Sequence, residues 1–347
     1  MTRISLLYMP FTIGVLAFAA CGENAMEPEP TKTLPSTPPA FAVASNSWIT
    51  RADLPSTERY WMATAAVNNA VGQSVLYVIG GKTSASDGES SGGSLSKVQA
   101  YNVATNTWSF KASLPKPLYW MNGAGVINGK IYVSGGVASY HNHRAELYMY
   151  NPAANTWSRK HDMPHPAWRG VTGVINNQLY VLPGCDQDET GDCLLLVPFG
   201  FYRYNPATDR WTKLPTPPSR RINGIAGVIG GKFYVAGGSD GIHGLTRVDV
   251  FDPATNRWTT RAPMPEFRTW AAGAALQAKL YVIGGVDPGG FTRKTSVYDP
   301  ATDTWTDKAL TPTARHAIAA SRVVLNGQGR IELVGGTRPG NNVQYIP

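Results

Sequence analysis

The sequence predicts an all-β fold assembled from six copies of one antiparallel meander, and three recurring marks carry that prediction. The first is an apolar run with a period of two, as in Lys279-Leu280-Tyr281-Val282-Ile283, which suits a strand and not a helix. The second is the Gly-Gly that ends this run, at Gly80-Gly81, Gly135-Gly136, Gly237-Gly238, Gly284-Gly285 and Gly335-Gly336. The third is a turn followed by Trp, as in Asp299-Pro300-Ala301-Thr302-Asp303-Thr304-Trp305, where Pro presets φ and Asp can accept a backbone N–H. Each copy thus reads as strand, Gly-Gly, variable loop, strand, turn and strand.

Gly81 is answered by Trp108, Gly136 by Trp157, Gly238 by Trp258 and Gly285 by Trp305. Leu182-Pro183-Gly184 has lost its first glycine but still leads to Trp211. The last copy, Val334-Gly335-Gly336, runs out of chain, and its Trp is supplied by Trp48 near the other end. A period of roughly 50 residues with these marks resembles the kelch repeat, and such repeats close radially into β-propellers with four-stranded blades. The resemblance covers 46–347 and implies a six-bladed kelch β-propeller whose last blade is closed by the N-terminal strand. It specifies fold and says little about function.

The chain begins with Arg3 and a mostly apolar run from Ile4 to Ala20, too short to span a bilayer, so residues 1–21 read as an export signal. Ala17-Phe18-Ala19-Ala20-Cys21 resembles a bacterial lipobox, which makes Cys21 the expected lipid attachment; plain cleavage after Ala19 or Ala20 is the alternative. Lipid there would tether the protein to a membrane without spanning it. Residues 22–45, rich in Pro, Thr, Ser and Glu, cannot bury enough apolar surface to offset ordering and read as an extended linker. The expected location is the periplasm or the cell surface.

Blade one is expected from Glu58 to Ser113, blade two from Leu114 to Met163 and blade three from Pro164 to Leu214. Blade four runs from Pro215 to Met264, blade five from Pro265 to Leu310, and blade six from Thr311. Asn342 to Ile346 would be the third strand of blade six and the segment around Trp48 its fourth. The blade tryptophans Trp108, Trp157, Trp211, Trp258 and Trp305 read as packing, because they recur in register.

Cys185 and Cys193 form an even pair in an exported chain and are expected to close a disulfide. Asp186, Asp188 and Asp192 near Gly191 invite calcium, but Val197 stands where an EF-hand needs its bidentate Glu, so a solvated loop is the better reading. His141 and His143 form an H-x-H without a third ligand nearby, and no metal or cofactor is implied. The net charge of +8 is scattered over the repeats with no basic helix, which argues against nucleic acid and suits weak affinity for anionic envelope polymers.

Aligning the repeats on Val67, Val126, Val174, Val228, Leu276 and Val323 places Trp61, Trp120, Trp168 and Trp270 at one position, with Ile222 and Ala317 in the remaining blades. Met62, Met121, Arg169, Asn223, Ala271 and Ile318 follow them. In kelch propellers that bind peptides or small molecules, polar residues near the start of this strand line the pocket, so the resemblance implies Arg169 and Asn223 as polar contacts; with Trp61, Trp120, Trp168 and Trp270 as stacking surfaces and His316 at the edge, these are the candidate ligand-binding residues. Tyr60, Tyr119, Arg221 and Arg268 would form a rim with His316. Stacking Trp and a bidentate Arg suit a carbohydrate or protein ligand; the plainer reading is that these Trp cap the channel and pack on one another. No nucleophile elbow, P-loop or HExxH motif occurs, and the cysteine-tyrosine copper site of larger kelch oxidases is disfavoured by the expected disulfide. The enzymatic alternative resembles six-bladed kelch sialic acid epimerases, an isomerase or lyase that would need Glu58, Glu266 or His316 beside an Arg in the channel. A monomeric binding or scaffold module of the envelope is the leading expectation.

Overall fold

The computed structural model describes residues 44–55, 59–83, 93–139, 142–187, 193–194, 200–336 and 342–347. Cys21, Glu58, His141, Asp188, Gly191, Asp192 and Val197 lie outside them. Six four-stranded antiparallel sheets form a β-propeller, each sheet running from an inner strand at the channel to an outer one. Blade one comprises Ala63–Asn68, Ser74–Ile79, Val98–Asn102 and Thr107–Lys111. Blades two to five repeat the plan from Ala124–Ile127, Val171–Ile175, Ile225–Ile229 and Ala272–Leu276, each followed outward by three more strands. Blade six is composite: Ala319–Leu325, Gln328–Val334 and Val343–Ile346 are completed by Ser47–Thr50, with Trp48 opposite Tyr345.

The burial gradient across a blade follows from what each strand faces. Second strands are buried on both sides, as in Leu76 to Ile79, because neighbouring blades press on both faces. Inner strands are rich in Ala and Gly because the next blade's second strand crowds them; a Cβ on Gly125 would meet Leu179 Cδ1 at 2.4 Å. The Gly-Gly pairs serve both purposes that such a pair can: Gly80 has φ 61°, and a Cβ there would lie 2.4 Å from the Leu118 carbonyl oxygen.

A two-part clamp joins each blade to the one before it. The indole Nε1–H groups of Trp48, Trp108, Trp157, Trp211, Trp258 and Trp305 donate to the carbonyls of Ala309, Ala52, Ala112, His161, Pro215 and Ala262, at 2.7 to 3.1 Å. Five of these acceptor residues also donate their own N–H to a turn Asn or Asp, which in turn accepts the hydroxyl of a Tyr in its own blade. Asp303, for example, accepts Tyr298 Oη–H at 2.5 Å and Ala262 N–H at 3.0 Å. The repeated Trp is therefore both filler and latch. The contact of blade four with blade three is the exception and keeps only the indole bond, because Phe251 has no hydroxyl and Pro215 no N–H.

Candidate functional site

At the start of each inner strand one residue adopts left-handed backbone: Trp61, Trp120, Arg169, Asn223, Trp270 and Ala317, with φ between 51° and 56°. Each would cost about 1 to 2 kcal/mol in isolation, more awkwardly for Trp than for Asn. Backbone bonds around the channel offset that strain. Trp61 N–H donates to Ala317 O, Trp120 to Trp61, Arg169 to Trp120, Asn223 to Arg169 and Ala317 to Trp270, at 2.9 to 3.1 Å. Side chains from all six blades thus project from one backbone ring at one mouth of the channel.

This ring corrects the register expected from sequence. Trp168 is the counterpart of Tyr60 and Tyr119, since each pairs with the residue after its Gly-Gly or Pro-Gly: Tyr60 with Lys82, Tyr119 with Val137, Trp168 with Cys185. Ile222, paired with Ser239, belongs to the same set. The reference positions were not equivalent, because Leu276 pairs with Lys279 as Ile175, not Val174, pairs with Gln178. Blade two hides the error by carrying an extra residue, the buried Asn122, which bonds Ala167 O and Gly170 N–H. Reading inward from the Gly-Gly instead of outward from the hairpin would have found the ring.

Trp61, Trp120, Arg169, Asn223 and Trp270 line a cavity of about 120 Å³ at the mouth. Trp61 packs between two of the others, 4.8 Å from Trp120 and edge-on to Trp270 at 6.5 Å. It is 8% exposed, and its indole Nε1–H has no acceptor. The Arg169 guanidinium lies 3.8 Å over the Trp120 ring, a cation–π contact that fixes a positive charge beside the opening. Met62, Met121 and Ile318 form the waist below, and beyond it a channel of about 360 Å³ runs between Ala- and Gly-rich walls.

Trp168 and His316 are not among the lining residues. Trp168 is buried, stacked on His143 at 3.5 Å, and opposite Cys185, which is buried and disulfide-bonded. His316 is sandwiched between Trp270 at 5.4 Å and the exposed Phe291 at 4.1 Å. Arg221 and Arg268 leave the rim altogether: both are buried and bind carbonyls at the ends of second and third strands. Arg221 also pairs with the buried Asp249, and burial pulls its pKa down to about 10, leaving it charged at neutral pH. Glu266 lies 3.3 Å from Arg268 and 2.5 Å from Lys294, outside the mouth cavity. Among the described residues no group of three or more His, Cys, Asp or Glu is placed to hold a metal.

Residues 126–336 match the model of the KLHDC2/KLHL20/DRC7 Kelch-repeats domain, and residues 64–115 match the Kelch motif. An F-box/kelch-repeat protein of Arabidopsis thaliana is 42% identical over 27% of this chain and 22% of its own length. Kelch-like protein 25 of Xenopus tropicalis is 28% identical over 52% of this chain and 29% of its own. An N-acetylneuraminate epimerase of Haemophilus influenzae is 38% identical over 20% of this chain and 18% of its own. The chain thus spans less than a third of each of these relatives. The solved structure titled "Structure of YjhT" superposes with a TM-score of 0.64 at 18% identity, over 84% of this chain and 95% of that one, a likeness of fold. With one family model spanning more than half of its length and the repeats closed into six blades, the chain belongs to the kelch-repeat family.

Proposed function

We propose that the protein is an exported, lipid-anchored binding or scaffold module of the cell envelope whose channel mouth takes a carbohydrate or protein ligand. The observation that carries this reading is the backbone ring, which holds three Trp, an Arg and an Asn around one opening at the expense of left-handed strain. Strain kept at a site marks positions set by what they present and not by local preference. The unpartnered Trp61 N–H, the Asn223 amide and the Arg169 cation supply polar contacts beside stacking surfaces. At about 120 Å³ the cavity is below the usual size for an enclosed small molecule, so a ligand would dock an end or an edge there. Cys21 as the anchor and Cys193 as the partner of Cys185 belong to the same proposal.

The alternative, a carbohydrate-active isomerase or lyase, draws on the short match to the N-acetylneuraminate epimerase. Proton transfer needs an acid or base at the cavity wall, and its described lining residues include neither carboxylate nor imidazole. A glycan and peptide screen on the full chain, repeated with Trp120→Ala and Arg169→Ala, tests the binding reading. The expected result is a ligand whose affinity falls about tenfold or more in each variant. Ligands that bind both variants as well as the parent would remove the mouth from consideration.

A further inference from the structure

At the far end of the inner strands, away from the tryptophan mouth, the repeats differ in a way that exposes one cation. Blades four and five each hold an ion pair there, Lys232 with Asp252 and Lys279 with Asp299, both at 2.8 Å. In each pair the second carboxylate oxygen, Oδ1, accepts a turn N–H, from Ala254 at 2.9 Å and Ala301 at 3.0 Å. Blades two and three carry Asn151 and Asn205 at the Asp position. Each still gives its Oδ1 to the turn, to Ala153 N–H at 3.2 Å and Ala207 N–H at 3.0 Å. What remains of each side chain is an NH₂ donor, which cannot pair with an ammonium. Blade two nevertheless keeps Lys130, which is exposed and has no carboxylate partner among the described residues; blade three has Gln178 instead.

Lys130 opens onto a cleft of about 500 Å³ between these two blades, lined also by Asn128, Asn176, Asn177, Gln178 and Asn205. Its volume falls in the range of known ligand sites. Tight turns set the backbone that carries three of these amides: Asn128, Asn176 and Asn177 sit in two-residue hairpin loops with φ of 50°, 50° and 57°. Nearby Asp209 is engaged in the blade clamp, accepting Tyr204 Oη–H and His161 N–H. Clustered amides, with Asn205 offering its NH₂ and the others a donor and an acceptor each, match a polyhydroxylated chain, and a single ammonium among them matches a carboxylate on that chain.

We propose that this cleft binds an acidic polysaccharide of the uronate class, independently of the channel mouth. The test titrates the full chain with an oligogalacturonate and with a maltooligosaccharide of equal length, in the parent and in the Trp120→Ala background. Asn151→Asp is the informative variant, because it restores the Lys–Asp pair of blades four and five without removing any lining residue. The expected result is oligogalacturonate binding that is about tenfold weaker in Asn151→Asp and in Lys130→Gln, unchanged in Trp120→Ala, and at least about tenfold stronger than binding of the neutral oligomer. Thermal unfolding of Asn151→Asp should be unchanged or shifted upward, which separates loss of the site from loss of the fold. The proposal fails if the uronate does not bind, if both Asn151→Asp and Lys130→Gln bind it as the parent does, or if Trp120→Ala abolishes its binding.

Discussion

Gln277 and Ala278 turn the inner hairpin of blade five with φ of 50° and 57°, in the same two-residue loop that uses Asn128-Gly129 in blade two. This turn asks for positive φ at both central positions, which Asn-Gly meets cheaply and Ala does not. Ala278→Gly should therefore raise stability by about 1 kcal/mol, read as an upward shift of the thermal midpoint; a downward shift would mean that the loop is not strained. The same property decided what could be read at the mouth. Left-handed Trp61, Trp120 and Trp270 carry no residue-type signal, because nothing about Trp favours that backbone. The sequence places Arg169 and Asn223 on the cavity wall, where they lie, but puts Trp168 one position out, because hairpin ends are an unreliable ruler when blade two carries the extra Asn122.

Within a blade, the clamp of Tyr, turn Asx and neighbouring N–H gives an internal comparison. Asp303 accepts two hydrogen bonds and is held below the usual carboxylate range by the Tyr298 hydroxyl first and the Ala262 N–H second. Its counterpart Asn256 has the same left-handed backbone but faces Phe251 and Pro215, which offer neither donor. Truncating either to Ala imposes the same backbone cost, so the difference between them isolates the clamp. Asp303→Ala should destabilise by about 1 to 2 kcal/mol more than Asn256→Ala in denaturant unfolding. Equal losses would mean that the clamp adds nothing to stability. Strand order and blade Trp positions were legible because period-two burial and turn chemistry are local properties. The clamp was not, because its acceptors, such as Ala52 for Trp108, lie in the preceding repeat and have no side-chain signature.

At the scale of the whole ring, the pairing of Trp48 with Tyr345 was readable because an unfinished last repeat and a stray Trp near the first are complementary defects. Removing residues 46–51 would strip blade six of its outer strand, the Trp48 bond to Ala309 and the Asn46 bonds to Ala309 and Tyr345. Hydrogen exchange in Val343–Ile346 should then accelerate more than in blade three. The closing blade holds a second peculiarity. Glu332 occupies the position that is Tyr77, Tyr132, Tyr180, Tyr234 or Tyr281 in the other blades, and it is fully buried. Gln344 donates to it at 2.7 Å, and Arg330 donates to Gln344 in turn. Burial raises its pKa from 4.5 to about 7, against the opposing pull of Gln344 and of Arg51 on the incoming strand. A carboxyl whose folded-state pKa is raised binds its proton more tightly when folded, so its contribution is complete below about 4.5 and is lost as pH rises to about 7. The stability of the parent should therefore fall across that window by about 3 kcal/mol relative to Glu332→Gln, which carries no titrating proton. Because Glu332 lies in the strand that bonds Val343–Ile346, the loss should appear first as faster exchange at the closing seam. Parallel pH profiles for parent and Glu332→Gln would show that this carboxyl is solvated in the folded ring, and that the seam between the two chain ends is no more sensitive to pH than any other.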